Sequence, residues 1–160
     1  MPPMIFQRLV VVLVLSCFYL GSVPVHAQSL KEDAKIGQIL KDTGFSYKAP
    51  KAGVWSIDFE RETLGKFKVI ISTGPGIVVT FAIVAEKANI NMTLNFAETL
   101  LLANQQYDYV KVGLNKGGDL VVRIDNQIRT IDVPEMKDMI NQVANASEQI
   151  FVKVSGSINR

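Results

Sequence analysis

Histidine and cysteine are nearly missing from this chain. Among 160 residues there is one of each, and both, Cys17 and His26, fall near the start. Residues 28–160 therefore hold no imidazole and no thiol. That excludes a Ser-His-Asp triad, a thiol nucleophile, a zinc finger, a disulfide and a His-ligated haem from that segment. Surplus charge is scarce as well. Lys and Arg number 17 against 15 Asp and Glu, a formal net charge of +2, and one of those positive charges is Arg8. No strong field draws in nucleic acid or an anionic membrane. The expectation is a protein that is not an enzyme, with no catalytic residue, no cofactor, no metal ligands and no nucleic-acid partner. What is abundant is apolar: 48% of residues are hydrophobic and 20% charged, a balance that suits one folded domain with one core.

The opening segment has the layout of a secretory signal. Arg8 supplies a positive start, and an apolar run follows from Leu9 to Leu20. That run is well short of the ~20 residues a bilayer span needs. Gly21 and Pro24 break it, and Val25-His26-Ala27 places apolar or small residues ahead of a cut between Ala27 and Gln28. The expected organisation is a signal peptide over 1–27 and a single α+β domain over 28–160. The mature protein would be periplasmic or secreted from a bacterium and would have no transmembrane segment. A second reading is a lipoprotein: Leu15-Ser16-Cys17 partly resembles a lipobox, in which Cys17 is acylated and becomes the first residue. Phe18-Tyr19-Leu20 stands where lipoproteins usually carry a polar linker.

Beyond the leader the periodicity changes several times. Ser29 and Glu32 have capping-box spacing, and Ile36, Ile39 and Leu40 recur at helical intervals up to Gly44. A helix over about 30–43 is predicted. Trp55, Ile57 and Phe59 then alternate with Ser56, Asp58 and Glu60, and Phe67, Val69 and Ile71 resume the alternation after a polar connection. Gly74-Pro75-Gly76 is a strong turn. Ile77 to Ala85 follows as a strand that is apolar on both faces. Asn95 is the expected cap of a second helix reaching about Tyr107, whose wide apolar face predicts packing on the sheet. Val110 to Leu114 and Leu120 to Ile124 form a hairpin around Gly117-Gly118. Asp132, Pro134 and Glu135 start a third helix, with a stripe from Met136 to Val154, after which Ser157 to Arg160 should fray. The predicted fold is α+β, with a five-stranded, mainly antiparallel sheet and three helices in the order α-β-β-β-α-β-β-α.

Few side-chain groupings suggest chemistry. Asp58, Glu60 and Glu62 alternate near one strand face, which suits a hard cation or an acid/base pair. A metal-dependent or carboxylate-based hydrolase on Asp58 and Glu60, beside Arg61, is the alternative function. Lys66 and Lys68 on the next strand explain the same pattern as cross-strand ion pairing, and that reading is preferred. Asn115, Asp119, Asp125 and Asn126 lack the ordered spacing of a calcium loop and read as turn chemistry. The methionine-bearing stripe of the third helix reads as core rather than as a groove. The surplus apolarity of Ile77–Ala85 is the more informative feature. With helices covering one sheet face, Val78, Thr80, Ala82, Val84 and Val121 are the candidate surface for a second copy or a bound chain.

The order and spacing of these segments resemble the YbjN-like family, related in fold to type III secretion chaperones. The resemblance is carried by Thr43-Gly44-Phe45-Ser46-Tyr47, by Val54-Trp55-Ser56-Ile57 and by Leu94-Asn95-Phe96 through Ala103-Asn104. Lys111-Val112-Gly113-Leu114, Gly118-Asp119-Leu120-Val121-Val122-Arg123 and the long last helix complete it, over about residues 30–154. It implies a non-catalytic fold, often dimeric, that in the chaperone branch binds an extended polypeptide. The chain departs from that branch in its export signal and its near-neutral charge. The resulting expectation is an exported, non-catalytic, chaperone-like protein-binding module, a homodimer with a polypeptide partner in the envelope.

Overall fold

The computed structural model describes residues 25–159, so Cys17 and most of the expected leader lie outside the described residues. Three helices and six strands follow one another: α1 (Val25–Thr43), β1 (Lys48–Lys51), β2 (Val54–Arg61), β3 (Gly65–Gly74), β4 (Ile77–Ala85), α2 (Leu94–Gln106), β5 (Lys111–Leu114), β6 (Leu120–Gln127) and α3 (Val133–Val154). The strands form one sheet in the order β1-β2-β3-β4-β6-β5, antiparallel at every pairing. The sheet has six strands where five were expected. The additional one, β1, is Lys-Ala-Pro-Lys and is exposed at all four positions. It carries no apolar alternation to read, and proline is compatible with a strand only because β1 lies at the sheet edge.

The hairpins follow from local chemistry. Pro75 and Gly76 form a two-residue connection in which Gly76 adopts φ 72°, and Gly74 pairs with Ile77. That turn sets the register of everything after it: Ile71 faces Thr80 and Val69 faces Ala82. The β2–β3 connection is held from a distance, since the Thr63 and Leu64 amides each donate to the Glu148 carboxylate of α3 at 2.8 Å.

Helix α3 lies across β4 and β6, α1 packs beside it over β3, and α2 packs against β5 and α3. One sheet face is thereby covered. Its rungs run Trp55–Ile71–Thr80–Ile124 and Ile57–Val69–Ala82–Val122–Val112. The helices contribute Ile36, Leu40, Met136, Ile140, Val143 and Ile150, all fully buried. The methionine stripe of α3 is thus core.

Two helix starts and the C-terminal tail differ from expectation. The chain is already helical at Val25, so Ser29 lies inside α1 rather than capping it, and Glu32 reaches the Gly76 amide at 3.3 Å. The expected cut between Ala27 and Gln28 therefore falls within α1. Helix α2 is capped by Thr93, whose hydroxyl accepts from the Phe96 amide at 3.1 Å, so Asn95 is already helical. The tail beyond α3, expected to fray from Ser157, is hydrogen-bonded as far as Asn159. The Asn91 amide donates to the Ser157 carbonyl, and Asn159 donates to Asn89, each at 2.8 Å. The Asp132 cap is as expected, accepting from the Glu135 amide at 2.9 Å.

One polar atom sits badly in this core. Thr80 is fully buried under the helices, and its hydroxyl has no hydrogen-bond partner among the described residues. Thr80→Val removes that unmet group while keeping the branched shape. It should raise stability by about 1 kcal/mol and the melting temperature by a few degrees, as read by thermal denaturation.

Candidate interaction surface

The five residues expected to form an open apolar surface divide unequally between the two sheet faces. Val78, Thr80, Ala82 and Val84 are buried on the face the helices cover, and none of them reaches solvent as a docking site. Only Val121 belongs to the other face, beside Ile83, and it too is buried. The correction has a simple cause. Both faces of β4 are apolar, so alternation alone does not say which one the helices take. The open set is the complementary one: Ile77, Val79, Phe81 and Ile83, with Ile70 paired to Phe81. Ile77 is 41% and Ile83 39% exposed. The signal that could have found them is the two-residue turn at Pro75-Gly76. It places Thr80 opposite Ile71, and Ile71 shares the alternation of Val69 and Phe67.

Charged side chains flank this apolar strip, and the register brings them together. One rung of the open face reads Lys48–Ser56–Ile70–Phe81–Arg123–Lys111. On one side the Asp58 carboxylate meets Lys48 Nζ at 2.7 Å and Lys68 Nζ at 3.9 Å. On the other side Asp125 meets Arg123 at 2.7 Å and Lys111 at 2.9 Å. The hydrogen bond from Lys48, reinforced by the charges of Lys48 and Lys68, holds the Asp58 carboxyl below its ordinary range. Partial burial works to raise Asp125, but the bonds and charges of Arg123 and Lys111 outweigh it and hold that carboxyl low.

Those ion pairs bear directly on Asp58 and Glu60 as a hydrolytic pair. A general acid needs a raised carboxyl pKa, and Asp58 is shifted the other way. Glu60 faces Lys66 across the hairpin. The two carboxylates thus sit on an exposed, lysine-paired strand face. Among the described residues no group of three or more His, Cys, Asp or Glu side chains is placed to hold a metal ion. Asn115 and Asp119 close their own turn: the Asp119 amide donates to Asn115 Oδ1 at 3.0 Å, and Asn115 Nδ2 donates to Asp119 at 2.9 Å. Asp125 is engaged elsewhere, and Asn126 bonds Glu135 at 2.8 Å.

Helix α2 presents a second apolar surface, which the wide stripe did not lead one to expect. Phe96, Leu100 and Ala103 are buried, but Leu94 is 76% and Leu101 72% exposed, with Leu102 beside them at 60%. A helix at the sheet margin buries only one side, and the remainder of a wide stripe faces solvent. Helix α2 also closes the β5 edge. Asn104 Nδ2 donates to the Val112 carbonyl at 2.7 Å, and the Val112 amide donates to Asn104 Oδ1 at 2.8 Å. The amide side chain thus occupies both backbone groups that an added strand would use at that position.

This architecture is the YbjN-like, type III secretion chaperone-like fold. YbjN from E. coli is similar at a TM-score of 0.58 and 16% identity, over 77% of this chain and 90% of that one. The chaperone–effector complex HopA1–SchA contains a chain similar at 0.57 and 12% identity, over 79% and 97%. The Yersinia pestis type III secretion chaperone SycH, solved with a stable fragment of YscM2, yields a match at 0.54 and 7% identity, over 74% and 98%. No protein-family pattern and no curated protein matches the chain in sequence. Among the described residues no helix is long and apolar enough to cross a membrane.

Proposed function

We propose that this protein is a non-catalytic, chaperone-like module that binds a polypeptide on its open sheet face. The observation that carries the reading is the partly exposed apolar strip of Ile70, Ile77, Val79, Phe81 and Ile83, which none of the described helices covers. Structures of the same fold have been solved with a chaperone and an effector or a partner fragment together. The edges serve strand addition poorly, since β1 carries Pro50 without an N–H and Asn104 fills β5 at Val112. A face contact remains. A homodimer completes the reading, formed through Leu94, Leu101 and Leu102 of α2, because an exposed leucine stripe of this kind suits a second copy. The leader pattern around Arg8 and Ala27 supports export to the periplasm or medium, where the partner would be an envelope polypeptide. Acylation at Cys17 is the variant of that route, and mass spectrometry of the mature N-terminus separates the two.

The test is suppression of aggregation of dithiothreitol-reduced α-lactalbumin, with light scattering of the protein alone. We expect protection by the unaltered chain and loss of most of it in the Phe81→Ser, Ile83→Ser double variant at unchanged circular dichroism. Leu101→Glu should convert a two-chain particle to a single chain. A protein that leaves α-lactalbumin aggregation unchanged, or a double variant that protects fully, overturns the sheet-face reading.

A further inference from the structure

The open sheet face has a charge pattern as well as an apolar centre. At each side of the strip two cations share one carboxylate: Lys48 and Lys68 on Asp58, and Lys111 and Arg123 on Asp125. Each cluster therefore keeps one positive charge in excess, while Glu60 and Lys66 face each other one to one. Self-association through this face would bring like excess charges together, so a second copy is the poorer occupant. Lys68 and Arg123 stand on β3 and β6, with β4 between them. Arg123 pairs with Phe81 and Phe81 with Ile70, two residues from Lys68. Two strand spacings of about 4.8 Å and one two-residue step of about 6.8 Å put these cations about 12 Å apart at the backbone. Their charged ends lean outward onto Asp58 and Asp125, so a chain of that span reaches them only with side chains as long as glutamate. An extended chain covers about 13 Å in four residues, and its positions i, i+2 and i+4 share one side.

We propose that the open face takes an extended polypeptide segment bearing carboxylates four residues apart and an apolar side chain midway between them. The apolar residue seats on Phe81 and Ile83, and the two carboxylates reach the Lys48/Lys68 and Lys111/Arg123 clusters. This names the chemistry of the partner in the polypeptide-binding reading above and rests on it.

Three fluorescent peptides test it by polarisation against the full chain. They share Leu at the centre and Thr between, and carry Glu, Gln or Lys at the two flanking positions. Binding should rank Glu above Gln above Lys, with about ten-fold between the first and last. Salt raised from about 50 mM to about 500 mM should narrow the gap. The Lys68→Glu, Arg123→Glu double variant should reverse the ranking. Should that variant not fold, the ranking and its salt dependence on the unaltered protein decide alone. Equal binding of all three peptides, lost in Phe81→Ser, overturns the charge pairing and leaves the sheet-face reading standing. Failure of every peptide, with α-lactalbumin still protected through Phe81, overturns it likewise. Tight binding to phosphatidylglycerol vesicles that displaces the Glu peptide assigns the face to a membrane surface and overturns it too. Absence of both peptide binding and α-lactalbumin protection removes the underlying reading itself.

Discussion

Ala82→Asp should abolish the folded state, whereas Ile83→Asp, one residue further along the same strand, should leave it in place. Ala82 is fully buried where β4 passes beneath the helices, between Val69 and Val122. A carboxylate there loses its water and gains no cation. Leaving a buried charge without a partner costs about 3–5 kcal/mol, and the added volume strains a close-packed site further. A domain whose whole stability is about 5–15 kcal/mol has little left after that. Ile83 points to the other face and is 39% exposed, so a carboxylate introduced at that position would keep its hydration. Its cost is the poorer fit of aspartate to a strand, about 1 kcal/mol. Urea denaturation followed by circular dichroism distinguishes the two. The reverse ranking would show that the sheet faces have been assigned the wrong way round.

The second large effect is at Phe96. It is 1% exposed and anchors α2. Phe96→Ala should cost about 3–5 kcal/mol, from lost burial and from the cavity left behind. Leu101 lies only five residues away on the same helix but is 72% exposed, so Leu101→Ala should stay within about 0.5 kcal/mol in the isolated chain. The loss at Phe96 should also be felt at β5, because α2 holds that edge through Asn104. Hydrogen exchange at the Val112 amide should quicken in Phe96→Ala and remain slow in Leu101→Ala. Unchanged protection at Val112 in the first variant would show that α2 does not hold the edge.

How much of this was legible in advance depended on whether the determining interaction was local. The Asp132 cap and the Pro75-Gly76 turn act over two or three residues, so their residue types announce them. Trp55, Ile57 and Asp58 display their alternation openly, because one set is apolar and the other polar. Strand β1 displays nothing, since a sheet edge exposed on both faces imposes no pattern on Lys48 or Ala49. Thr93 displaced Asn95 as a cap because both are competent, and only the start of the helix decides between them.

From its sequence alone this protein has the order of its three helices and of every strand except β1, its shortage of imidazole and thiol chemistry in residues 28–160, and in Ile77–Ala85 a strand too apolar for one buried face. Each of these rests on composition or on neighbours along the chain. Which side of β4 meets the helices was decided only by tertiary structure. Ile77, Val79, Phe81 and Ile83 are the more apolar set, yet Val78, Thr80, Ala82 and Val84 are the buried one, so hydrophobicity alone assigns the faces the wrong way round. The separation comes from pairing. Once β4 is registered against Ile71 of β3 and Ile124 of β6, Thr80 must lie with them beneath α3. Phe81 must then lie outside, between Lys48 and Lys111.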